Sequence, residues 1–261
     1  MRALSIGATG MMAQQLNVET ISNNIANMST AGYKRERAEF QDLLYQQERR
    51  VGAPTSDAGT ELPSGVQLGL GVKTASISRA TGQGPLVKTD NRLDVAMQGE
   101  GYFSIELPSG DTAYTRAGFF QLASDGTIVT PDGYPVQPNI VVPANAIDVV
   151  ISDAGEVFAY FDGQVAPQNL GQLELATFIN TNGLESIGSS LLKETTASGA
   201  PTVGVAGSPG FGTMRQGYLE SSNVNVVSEI TNLIQAQRAY EMNSKSIETA
   251  DQMLQTITQL R

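Results

Sequence analysis

Cysteine, histidine and tryptophan are all missing from the 261 residues. Without cysteine there is no disulfide and no thiolate nucleophile, and without histidine as well there is no Cys/His zinc site. Acid and base chemistry is left to carboxylates, lysine, tyrosine and hydroxyls. A basic stripe is also lacking. The only basic clusters, Lys34, Arg35, Arg37 and the pair Arg49, Arg50, read as solvated charge at element ends, and the formal net charge is -10. Phosphate backbones need a concentrated positive surface, so a nucleic-acid partner is excluded. No apolar run approaches the ~20 residues of a membrane span, and no membrane insertion is expected. Residues 1–10 show no charged region followed by a continuous apolar one, so no cleaved signal peptide is expected either.

What is present is an ordinary folded composition, 40% apolar and 16% charged. Acidity belongs to the middle: residues 1–50 hold six basic and five acidic side chains, and 51–218 hold seven and sixteen. Periodicity belongs to the ends. Leu4, Met11, Val18 and Ile25 fall seven residues apart, with Ala8 and Ile21 on the same face, which is the spacing of a coiled-coil seam. At the other end, Val226, Ile230, Leu233, Ile234, Tyr240, Ile247, Leu254 and Ile257 recur mostly at helical spacing, with no proline or glycine over 223–261. Long terminal helices are predicted, the first from near Arg2 to about Asn27. Gly7 and Gly10 each weaken it by about 1 kcal/mol relative to alanine. Ser221, Ser222 and Asn223 are candidate N-caps of the second. A shorter helix is expected over 34–47, where Phe40, Leu43 and Leu44 share a side.

Between the ends, short alternating segments separated by turns predict an antiparallel β domain. Asp125-Gly126, Asp132-Gly133 and Asp162-Gly163 are hairpin signals, because tight turns between twisted strands need positive φ. Val66, Leu68 and Leu70 alternate as a strand, whereas 51–65 is rich in glycine, proline and small polar residues and reads as an extended loop. So long a structureless loop is usually functional or a linker. Residues 195–212, again rich in small residues, lead the chain back toward the terminal helix.

Catalytic chemistry finds little footing. The turn aspartates already have a structural role. Asp90 and Asp94 lack the spacing and glycine of an EF-hand loop. The pairs Gly69, Gly71 and Gly99, Gly101 lack the third glycine and helix of a phosphate cradle. No catalytic, cofactor or metal site is expected, and a carboxylate-based peptidoglycan hydrolase stands only as a competing reading. The apolar stripes carry more weight. About ten large apolar side chains left wet would forfeit on the order of 15 to 30 kcal/mol. Pairing the two ends costs roughly 4 to 5 kcal/mol of closure entropy, which is tolerable. A two-helix pair still leaves outer faces exposed. Self-association through the ends is therefore expected, with terminal segments that order only in a polymer.

The run Ile21-Ser22-Asn23-Asn24-Ile25-Ala26-Asn27, followed by Thr30, Gly32, Tyr33 and Lys34, resembles the N-terminal signature of the bacterial flagellar rod and hook proteins. Ser222-Asn223-Val224-Asn225, then Gln237-Arg238-Ala239-Tyr240-Glu241 and Asp251-Gln252-Met253-Leu254, resembles their C-terminal one. The body is similar to distal rod members of that family at Val95-Ala96-Met97-Gln98-Gly99-Glu100-Gly101-Tyr102-Phe103, Tyr114-Thr115-Arg116-Ala117-Gly118 and Gly183-Leu184-Glu185-Ser186-Ile187-Gly188. So is a stretch over 52–65 ending in Leu62-Pro63-Ser64-Gly65, which hook members commonly lack; a proximal rod or hook-type subunit is the alternative within the family.

The resemblance implies a mixed fold, a mainly antiparallel β body whose N- and C-terminal α-helices pair as a coiled-coil-like inner tube of a helical polymer. It implies a terminal assembly domain (1–32 and 220–261), an extended connection (33–71 and 213–219) and a β domain (72–212). The subunit interface would comprise Leu4, Met11, Val18, Ile21, Ile25, Val226, Ile230, Leu233, Ile234, Tyr240, Ile247, Leu254 and Ile257. Gly52, Pro54, Leu62, Pro63 and Gly65 would mark a rod-stiffening loop. The function implied is a straight, hollow drive shaft crossing the periplasm of the flagellar basal body. Its partners would be further copies of itself, proximal rod proteins, the hook protein or hook junction, the ring bushing proteins and the type III export apparatus, with no cofactor.

Overall fold

The computed structural model describes residues 2–49, 64–164 and 166–259. The chain divides into two compact units, one of Met1–Ile25, Glu36–Ser78 and Asn225–Arg261, the other of Ala26–Arg35 and Arg79–Val224. Both predicted long helices are present, as α1 (Arg2–Ala26) and α2 (Val226–Gln259). The body between them is mainly antiparallel β, as expected.

In the first unit the helices run antiparallel. Gly7 lies against Ile247, Gly10 against Asn243, and Asn24 bonds Glu229, so rising numbers in α1 meet falling numbers in α2. Gly7 and Gly10 are not merely weak points of the helix. A Cβ on Gly7 would stand 2.7 Å from Ile247 Cγ1, and one on Gly10 would stand 2.8 Å from Asn243 Nδ2. Their missing side chains are what lets α2 approach. The cap of α2 is Asn225, whose Oδ1 accepts from Ser228 N at 3.2 Å, rather than Ser221, Ser222 or Asn223.

The segment expected as a helix over 34–47 is extended instead. Glu36–Asp42 pairs with Val72–Arg79, and Tyr45–Arg49 pairs antiparallel with Val66–Gly69. The charges show why an extended chain suits these residues: Arg37 reaches Glu39 at 2.7 Å, a contact between residues two apart that share a strand face and diverge on a helix. Asn24 also holds the strand at its start, through Glu36 N and Glu36 O, both at 2.8 Å.

The second unit is built on a six-stranded antiparallel sheet in the order Glu185–Gly188, Leu191–Lys193, Thr112–Thr115, Tyr102–Glu106, Glu174–Thr177, Thr202–Val205. A three-stranded sheet of Ala146–Ile151, Glu156–Phe161 and Gln168–Gln172 accompanies it. Met97, Phe103, Ile105, Val157, Leu173, Leu175 and Met214 are buried in one core. Phe103 meets Phe120 edge to face, with ring centroids 5.0 Å apart. The aspartate-glycine turns form as predicted: Gly126, Gly133 and Gly163 hold φ of 84°, 85° and 77°. Two further short pairs, Leu86–Lys88 with Tyr218–Glu220 and Val95–Gln98 with Thr213–Gln216, bring the last strands of the body beside its first. Among the described residues, no helix is long and apolar enough to cross a membrane.

Candidate assembly site

The face of α2 turned to α1 carries small and polar residues beside Ile247. Glu229, Ala236, Asn243 and Ala250 recur every seven positions, the first two and the last are buried, and Asn243 touches Gly10. On α1 the buried positions are Gly7, Ala13, Thr20, Ile21 and Asn24. Of the large residues named from sequence as interface, Ile21 is buried, while Leu4, Met11, Val18, Ile25, Val226, Leu233 and Ile247 are half-buried. Ile230, Ile234, Tyr240 and Leu254 are exposed. Ile247 packs on Gly7 of α1. Other large apolar residues also stand in solvent, with Met12 72% and Val227 75% exposed. The pair therefore closes on a seam that an apolar-stripe reading partly overlooks, while Met12, Val227, Ile230, Ile234, Tyr240 and Leu254 stand in solvent. A small-residue heptad at 229, 236, 243 and 250 was the available signal.

Asn24 is fully buried and links three elements. Its Nδ2 donates to Glu36 O and to Glu229 Oε2 at 3.1 Å, and its Oδ1 accepts from Glu36 N. Glu229 lies in the first turn of α2, where the partial positive charge of the helix N-terminus favours a carboxylate. A buried amide that bonds only when the helices are in one register penalises slippage.

In the second unit, a polar clasp gathers several of the motifs that carried the family resemblance. Glu220 Oε1 accepts from Lys34 Nζ at 2.6 Å and from Gly84 N at 2.9 Å, and Oε2 accepts from Arg116 Nε at 2.6 Å. The three side chains are 1%, 12% and 8% exposed for Glu220, Lys34 and Arg116. Arg116 donates onward to the carbonyls of Gly101 and Gly99, and Lys34 to that of Gly82. Asn223 completes the clasp: its Oδ1 accepts from Arg35 N at 2.7 Å, and its Nδ2 donates to Ala80 O and Gly82 O. Gly32 is tied in by its N–H to Glu220 O at 2.8 Å. Burial pushes the Glu220 carboxyl up, but the Arg116 charge and the bonds from Lys34 and Gly84 outweigh it and hold the group below its ordinary value. Burial likewise lowers Lys34 below the usual lysine value, against the pull of Glu220. Neither Glu220 nor Arg116 is marked by periodicity, because each bonds across more than a hundred residues.

The loop positions Gly52, Pro54, Leu62 and Pro63 lie outside the described residues, as does the side chain of Ile257. Gly65 directly precedes the strand Val66–Gly69, so the 50–65 stretch joins the two strands of one antiparallel ribbon. Among the described residues, no cluster of carboxylates could hold a metal ion.

Three family profiles match the chain: "Flagella basal body rod protein" over residues 4–34, "Flagellar hook protein FlgE/F/G D1 domain" over 96–159 and "Flagellar basal body rod FlgEFG protein C-terminal" over 215–260. The chain is 60% identical over 261 residues to the flagellar basal-body rod protein FlgG of Caulobacter vibrioides, covering 100% of both chains. It is 52% identical over 258 residues to that of Agrobacterium fabrum, covering 99% of this chain and 98% of the relative. The FlgG of Bacillus subtilis is 38% identical over 266 residues, covering 100% of this chain and 99% of the relative.

Proposed function

We propose, since the chain belongs to the flagellar basal-body rod protein FlgG family and is a structural subunit of the flagellar rod, that its paired terminal helices build the inner wall of a straight, hollow tube. In this reading residues 1–32 and 220–261 form the assembly domain, 33–71 and 213–219 the connection, and 72–212 the β domain. The polymer is the distal rod, which carries motor torque across the periplasm. Proximal rod proteins lie on its inner side and the hook protein or hook junction on its outer side. Ring bushing proteins surround it, and the subunit is delivered by the type III export apparatus. Its role is mechanical, with no hydrolytic activity on the cell wall.

The observation that carries this reading is the inversion of the helix pair: small residues close the intramolecular seam, and Met12, Val227, Ile230, Ile234, Met242 and Met253 are exposed. Burying about six such half-exposed side chains between subunits contributes on the order of 5 to 10 kcal/mol per subunit. That contribution would add to the stability of the terminal helices on assembly. Negative-stain electron microscopy and circular dichroism of the concentrated protein test the reading together. Straight hollow polymers with increased helicity and protease-resistant ends are expected. A monomer at every concentration, with its ends already fully protected, would refute it, and digestion of purified cell wall would reinstate the hydrolase.

A further inference from the structure

One face of the β body carries a groove of about 610 Å³ lined in part by Asp90, Arg92, Leu122, Asp125, Ile147 and Asp148. It continues into a shallower hollow of about 250 Å³ that shares Asp90, Arg92 and Asp148 and ends at Thr89. Two features mark this surface out as a docking face. Leu122 and Ile147 are large apolar residues in solvent, Ile147 at 63% exposure. Arg92 is engaged with Asp148 at 2.7 Å, so Asp90 and Asp125 leave the groove negative.

The groove runs along the edge strand Ala146–Ile151, but the occupant does not extend that sheet. Gln216 caps the edge, donating from Nε2 to Val149 O at 2.8 Å and accepting from Ile151 N at 3.1 Å. Docking must go through side chains. The surface that fits lies on the other unit of the same chain. The strand Val72–Arg79 presents Lys73, Ala75 and Ile77 on alternate positions of one face, and all three are exposed. This face is cationic and apolar where the groove is anionic and apolar. The chain's acids are concentrated in the body, so a second copy offers the complementary charge that another acidic body does not.

We propose that the groove receives the Lys73–Ala75–Ile77 face of a neighbouring copy, with Lys73 directed to Asp90, and Ile77 covering Leu122 and Ile147. This contact rests on the rod-assembly reading and adds to it a lateral link outside the helical tube. It makes the body a clamp on its neighbour, and each subunit both gives and receives one such contact.

The absence of cysteine makes a clean test possible. Single variants Ile77→Cys and Ile147→Cys of the full chain are mixed in equal amounts, polymerised and oxidised. A covalent dimer is expected from the mixture and from neither variant alone. Polymers of native appearance without that dimer would overturn the contact while leaving the assembly reading in place; a native chain that never polymerises removes both. Charge reversal supplies a second measurement. Lys73→Glu is expected to slow polymer growth about tenfold, the effect of roughly 1.4 kcal/mol, and Lys73→Glu combined with Asp90→Lys is expected to restore most of the rate. Equal growth of native and Lys73→Glu chains would overturn the proposed pairing.

Discussion

Replacing Glu220 by glutamine keeps the shape of the clasp and one carbonyl acceptor but removes the charge that Lys34 and Arg116 share. Both cations then remain largely buried, at 12% and 8% exposure, 2.6 Å from a neutral amide. Removing one partner of a buried ion pair costs about 3–5 kcal/mol, mainly through the stranded charge. With a urea m-value of about 2 kcal/mol/M, the midpoint of body unfolding should fall by roughly 2 M at unchanged m. The chain has no tryptophan and eight tyrosines, so tyrosine fluorescence reports the transition, with Tyr102 and Tyr114 inside the body. The triple replacement Lys34→Met, Arg116→Met, Glu220→Met should recover much of the loss, because it leaves no uncompensated charge. The pH dependence follows the same logic. Glu220 titrates below its ordinary value of 4.5 in the folded chain, so on acidification the unfolded chain takes up the proton first. Its contribution is complete above that ordinary value and is lost as the pH falls through the lower native one. Glu220→Gln should lack this acid-side loss. A midpoint shift under about 0.5 M in native-pH urea titrations, equal to roughly 1 kcal/mol, would refute the stranded-charge argument.

Gly7→Val should wedge α1 from α2, since even a Cβ there meets Ile247 Cγ1 at 2.7 Å; overpacking of about 1–3 kcal/mol should outweigh any gain in helix propensity and lower the 222 nm ellipticity. Asn24→Ala should cost about 1–3 kcal/mol and speed amide exchange at Glu36, whose N–H donates to the Asn24 carbonyl at 2.8 Å. Deleting residues 53–65 should leave polymers that form but bend, read as a shorter persistence length in electron micrographs; unchanged stiffness would dissociate the ribbon from straightness.

Local signals located the elements well where the elements make their own case. The two terminal helices follow from uninterrupted period, and the hairpins from aspartate-glycine turns, because both are decided within a few residues. The strand Glu36–Asp42 escaped this reading: Phe40, Leu43 and Leu44 imitate a helical face, while its actual partner, Val72–Arg79, lies some thirty residues on, where no local pattern can announce it. Gly7 and Gly10 were legible as weak helix formers, and their value appears only with α2 alongside. Ser222 and Asn223 look like caps for the same reason that they serve elsewhere: short polar side chains bond nearby backbone, and Asn223 uses that capacity on Arg35, Ala80 and Gly82. The motif residues were visible as family signature before their task was. Lys34, Arg116 and Asn223 show that part of that signature holds the body together, the first two through the non-signature Glu220.

The clasp also imposes an order of events on the chain. Lys34 and its counterion are 186 positions apart, and Arg116 lies between them in sequence. For a polypeptide that emerges N-terminus first, the early cation stays solvated until almost everything else has followed. The body's last short strands, Thr213–Gln216 and Tyr218–Glu220, pair with its first, Val95–Gln98 and Leu86–Lys88. Such long-range closure is slow to form and impossible to form early. The topology thus acts as a timer: a partly emerged chain has no means of completing its own body, which closes only once the strand Tyr218–Glu220 has arrived.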